Sequence, residues 1–85
     1  MSEKEKLMSY IRNNFNVDRT TMLLIDSIYD YLYNNVYNLT IITYNDNRIA
    51  IHSFLYDLLN ILNDSGIDLS MNELLDNNAI EMECR

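Results

Sequence analysis

The chain has no proline and no tryptophan, and glycine, cysteine and histidine occur once each, as Gly66, Cys84 and His52. Each shortage excludes something. Without proline, a Gly- or Ser-rich tract or a repeat of solenoid length, nothing marks a linker, so residues 1–85 are expected to form a single small domain. A lone cysteine cannot close an internal disulfide, and with one histidine it cannot supply the usual zinc ligand sets; no metal and no cofactor is expected. No apolar run approaches the roughly 18 residues of a membrane span. The opening MSEKEKLMSY carries charge with no apolar stretch behind it, unlike a secretory signal, which points to a cytoplasmic protein.

Lysine is scarce as well. Only Lys4 and Lys6 accompany four arginines, while the chain holds thirteen Asn, ten Ile and seven Tyr. All three abundant residues have AT-rich codons, and a gene so rich in Asn should supply Lys as readily. The shortage leaves a net charge of −7 and a pI near 4.3, an acidity that base composition does not explain. Direct binding to nucleic-acid phosphates relies on clustered Lys and Arg and is disfavoured. An acidic surface suits solubility or a basic protein partner. At this length folding buries only about 60% of the unfolded chain's surface, which argues against a deep, closed active site.

What is present is organised around Thr20 to Val36. At helical spacing Leu24, Ile25, Ile28, Tyr29, Leu32 and Val36 share one sector, the expected core face. Asp26, Asp30, Tyr33 and Tyr37 gather on the other side within about 60° of each other, with neighbours roughly 6 Å apart. Before this helix, Ser2-Glu3-Lys4-Glu5 reads as a capping box opening a helix from Glu3 to Asn14, with Leu7, Met8 and Ile11 inward and Lys4, Arg12 and Asn13 outward. Asp18 is placed to cap the second helix, making an antiparallel helix pair.

From Leu39 the residues change character. Leu39-Thr40-Ile41-Ile42-Thr43-Tyr44 is β-branched and aromatic, Asn45-Asp46-Asn47 is turn chemistry, and Arg48 to His52 alternates well enough to return as a hairpin partner. Phe54 to Asp64 should be helical, with Leu55, Leu58, Leu59 and Leu62 inward and Asp57, Asn60 and Asp64 outward; Gly66 ends it. Ser70-Met71-Asn72-Glu73 opens a short helix through Asp76, and the alternation of Ile80, Met82 and Cys84 with Glu81 and Glu83 suits a final strand that buries the first three. The fold class expected is α+β: two N-terminal antiparallel helices, a β-hairpin, two further short helices and a C-terminal strand. An all-α helical bundle is the alternative, because Ile51, Phe54, Leu55, Leu58 and Leu62 also keep helical spacing.

Three chemical readings are set aside. His52 beside Ser53 suggests a nucleophile and its base, but adjacent strand residues point to opposite faces and no G-x-S-x-G turn surrounds the serine. Asn63 to Asp68 superficially resembles a calcium loop, yet with Gly66 at the sixth position Ile61 would stand where a carboxylate must ligate. A helix-turn-helix over the last helices would carry Asp68, Asn72, Glu73 and Asp76 into a negatively charged groove. No enzymatic constellation is left.

The remaining feature is the acidic, tyrosine-bearing face of the second helix. Its plain reading is a solvated outer face. Tyrosine, however, gives rigid contact area at small entropic cost and is enriched at interfaces, and interleaved with carboxylates it complements a basic groove. The expectation is therefore a small acidic, non-enzymatic, protein-binding inhibitor, by analogy from a phage or mobile element. It would occlude a basic, nucleic-acid-binding surface of a host protein such as a defence nuclease through Asp26, Asp30, Tyr33 and Tyr37, without touching nucleic acid or membrane. The alternative is a self-assembling structural or regulatory subunit, a homodimer or larger.

Overall fold

A computed structural model describes residues 2–84 of the chain. Its elements are α1 Glu3–Asn14, α2 Arg19–Asn35, β1 Leu39–Tyr44, β2 Asn47–His52, α3 Phe54–Asp64, α4 Met71–Asp76 and β3 Glu83–Cys84. This is the expected α+β order, and the all-α alternative is overturned at residues 39–52, which pair as an antiparallel hairpin. Asn45 and Asp46 both take positive φ, 49° and 65°, the two-residue turn whose twist matches that of the strands it joins. β3 pairs antiparallel with β2 through Ile49↔Cys84 and Ala50↔Glu83, giving the strand order β1-β2-β3. The final strand is thus much shorter than its alternation suggests. Ile80 is buried, but Met82 is 40% exposed and not inward as expected, because pairing starts only at Glu83. The expectation for the Cys84 side chain lies outside the described residues.

Side chains close the helix starts as the sequence implies. Ser2 Oγ accepts from the Glu5 amide at 3.2 Å, an Asp18 carboxylate oxygen from the Thr21 amide at 2.7 Å, and Ser70 Oγ from the Glu73 amide at 3.1 Å, each satisfying a donor the helix cannot. Two helix ends share one device. After α3, Gly66 takes φ +90° while Gly66 N–H donates to Asn63 O and Ile67 N–H to Leu62 O. After α4, Asn78 takes φ 54° while its N–H donates to Leu75 O and Ala79 N–H to Leu74 O. Both are Schellman closures, in which a left-handed residue folds the chain back over the last turn.

Leu7, Ile11, Phe54, Leu55, Leu58 and Leu74 lie at the centre of one apolar cluster. α2 meets it through Ile25 and Tyr29, with Ile28, Leu32 and Val36 half-buried against it. Leu24, expected in the core, is 59% exposed beside an equally exposed Leu23. α2 is rotated about its axis relative to the expectation, toward the Tyr29 edge. There Tyr29 meets Phe54 edge-to-face at 5.1 Å, and that rotation swings Leu24 out and Tyr33 in.

Candidate functional site

The rotation changes what the second face of α2 is. Tyr33, expected opposite the core, is only 36% exposed. It stacks on Tyr29 with ring centroids 6.2 Å apart, meets Phe54 at 5.7 Å and receives Tyr37 edge-on at 5.0 Å. Its hydroxyl pKa is raised, chiefly by interaction with Tyr37 and then by desolvation. The acids of the stripe meet a cation of the same chain. Lys4, expected to face outward from α1, turns onto α2, where its Nζ lies 3.2 Å from Asp26 Oδ1 and 3.1 Å from Asp30 Oδ1. Antiparallel packing explains this, since the first turn of α1 runs beside the later turns of α2 and the two carboxylates stand one helical turn apart. Hydrogen bonds to Asp30 and Asp26 raise the Lys4 pKa.

Asp30, Tyr33 and Tyr37 then line a cleft of about 450 Å³ with Glu3, Lys4, Tyr29, His52 and Glu81. Asp26 lies outside it, beyond Lys4, in a groove of about 430 Å³ between α1 and the start of α2 that also holds Arg12 and Arg19. Inside the cleft His52, at the end of β2, places Nε2 3.5 Å from Glu3 Oε2, and both side chains are mostly buried. That separation is long for a strong hydrogen bond. Glu3 Oε1 and His52 Nδ1 are buried with no hydrogen-bond partner among the described residues. Burial raises the Glu3 pKa, with His52 pulling it down, Glu81 pushing it up and Lys6 pulling it down. Lys6 in turn pairs with Glu81 at 3.6 Å. Ser53 lies just past the end of β2, in helical backbone before α3, and its Oγ faces Thr40 Oγ1 at 2.5 Å.

Glu3, Lys4, His52 and Glu81 were not identified as neighbours of the stripe from sequence. They come from three separated segments, the start of α1, the end of β2 and the approach to β3, and the helical period of α1 had placed Lys4 facing outward. Among the described residues no group of three or more His, Cys, Asp or Glu is arranged to hold a metal ion, and no helix is long and apolar enough to cross a membrane. The arrangement is suited to holding cations, with carboxylates set around an ammonium and tyrosine rings alongside.

The charge also divides unevenly along the fold. From Ile49 to Cys84 the chain carries Asp57, Asp64, Asp68, Glu73, Asp76, Glu81 and Glu83 and not one Lys or Arg. Asp57, Asp64, Asp68 and Asp76 are exposed. Among the described residues only Glu81 of this set has a cationic partner. Tyrosines contact two others: Tyr10 Oη donates to Glu73 Oε2 at 2.7 Å and Tyr44 Oη to Asp76, and each carboxylate raises the pKa of its tyrosine. No protein-family model, no curated protein and no solved structure matches this chain.

Proposed function

We propose that this is a non-enzymatic, intracellular binding protein that inhibits a host protein, such as a defence nuclease, by covering its basic, nucleic-acid-binding surface. The observation that carries this reading is the division of charge, seven acids with no Lys or Arg between Ile49 and Cys84. Acids left without bases keep their field, and a field of one sign steers a partner of the other. The acids of α3 and α4 supply the steering. Asp26, Asp30, Tyr33 and Tyr37 supply the contact, with Asp30 and Tyr37 at the cleft mouth and Lys4 marking where a partner's Lys or Arg would be held.

The two roles have different kinetic signatures. Reversing Asp57 and Asp64 to Lys slows association with the captured partner and leaves dissociation nearly unchanged. Asp30→Lys with Tyr37→Ala accelerates dissociation and weakens capture by about tenfold or more. Lys4→Met frees two carboxylates and tightens capture, with little effect on stability because an ion pair this open to solvent contributes only about 0–1 kcal/mol. Surface-plasmon kinetics on the partner recovered from host lysate reads all three. Capture indifferent to every one of these changes refutes the reading.

A further inference from the structure

The outer edge of β1 is open. A two-residue turn makes Tyr44 and Asn47 a hydrogen-bonded pair, and the alternation of an antiparallel ladder gives Ile42 and Thr40 the same inward bonding. The Ser53 amide donating to the Asn38 carbonyl at 2.8 Å continues that series. Leu39, Ile41 and Thr43 therefore point their N–H and C=O groups away from β2, and among the described residues no backbone or side-chain group meets them. Natural edge strands are blunted by lysine, proline, a bulge or extreme shortness. β1 runs for six residues, LTIITY, with none of these devices. Its outward-bonding residues also carry exposed apolar side chains, Leu39 at 40% and Ile41 at 41%.

We propose that β1 is a self-association edge: two copies pair β1 with β1 antiparallel about a two-fold axis through Ile41, doubling the three-stranded sheet. This register sets Ile41 beside Ile41 of the second copy and Leu39 beside Thr43 of the second copy. Every outward N–H and C=O on one strand then meets its complement on the other. Equal residue parity keeps both sheets the same way up, so Leu39 and Ile41 shield their counterparts on one face. The self-complementary register selects the occupant, and the lack of charge on β1 permits it. A basic partner drawn to the acidic faces finds no charge on Leu39 to Tyr44, whereas a second copy with net charge −7 meets least repulsion there. The pairing uses the same strand on both copies and closes on itself, so it stops at a dimer.

Sedimentation equilibrium across a concentration series, combined with amide hydrogen exchange, tests this on the whole chain. The expected result is a monomer–dimer equilibrium in which exchange at the amides of Leu39, Ile41 and Thr43 slows as concentration rises. Ile41→Pro removes the central outward donor while keeping the β1–β2 ladder, the one kind of strand position that tolerates proline. Ile41→Lys sets two like charges together at the axis. Each variant should weaken dimerisation by about tenfold or more, equivalent to about 1.4 kcal/mol, with an unchanged circular dichroism spectrum; if the proline variant misfolds, the lysine variant decides. A monomer at every concentration, an open-ended polymer, a dimer without protection of these three amides, or a dimer intact in the folded variants would each overturn the proposal.

Discussion

Glu3 sits where two local demands conflict. It lies in the first turn of α1, where the helix dipole favours a carboxylate, yet its side chain is mostly buried beside His52, and desolvation wins, raising its pKa above the ordinary 4.5. The folded state then holds the Glu3 proton more tightly than the unfolded chain does. Stability from this group is fully present below pH 4.5 and is lost as pH rises through the higher folded value. Asp18 acts in the opposite sense. The Thr21 amide holds its pKa below 3.8, so its contribution is present above that ordinary value and is lost as pH falls through the lower folded one. Lowering pH from neutral toward 4.5 should therefore raise the melting temperature before stronger acid lowers it. Glu3→Gln should be at least as stable as the parent at neutral pH and should lack the part of the rise due to Glu3. Parallel melting curves for the two proteins across this range would show that Glu3 is not the group responsible.

Among the elements, the two Schellman closures make the clearest comparison. At Gly66 nothing lies within 4 Å of an added Cβ, so Gly66→Ala tests backbone conformation alone and should cost about 1 kcal/mol, read as a lower urea midpoint at unchanged slope. Asn78→Gly should be neutral or slightly stabilising, since it relaxes the same left-handed position. A neutral Gly66→Ala would mean the closure is not formed. Only the first closure was legible in the sequence, because glycine announces the conformation while Asn78 resembles any polar loop residue. Caps, helix spans and the hairpin were legible for the same reason: they depend on residues two to four positions apart. The rotation of α2 was not. A 3.6-residue period defines a sector, but the centre of that sector depends on which neighbour packs hardest, and Phe54 and Tyr29 settled it at the expense of Leu24. The candidate site divided the same way. Asp30, Tyr33 and Tyr37 were legible as one stripe, while Glu3, Lys4, His52 and Glu81 entered it from distant segments that no local pattern connects.

Across the whole molecule, stability and binding should respond to salt in opposite directions, which separates a functional acidic surface from an incidental one. The acids of α3 and α4 stand within a body measuring 37 × 26 × 26 Å, so at about 0.01 M salt, where screening extends to roughly 30 Å, nearly all of them repel one another. At about 0.1 M the screening length falls to roughly 10 Å and only near neighbours still interact. The pairs of Lys4 with Asp26 and Asp30 are shorter than either length and lose little. Repulsion among the unpaired acids should therefore be the main casualty, and the melting temperature should rise with salt. For a domain of this size each kcal/mol of relief corresponds to about 4–8 °C. Capture of a basic partner depends on the same unneutralised field and should weaken over the same range, through slower association. Reversing Asp57 and Asp64 to Lys ties the two effects together: the variant should melt higher than the parent at low salt, respond less to added salt, and associate more slowly. If it melts no higher at low salt, these acids do not repel one another enough to matter. If it melts higher and still associates at the parent's rate, the acidic half serves solubility, and the steering assigned to α3 and α4 is wrong.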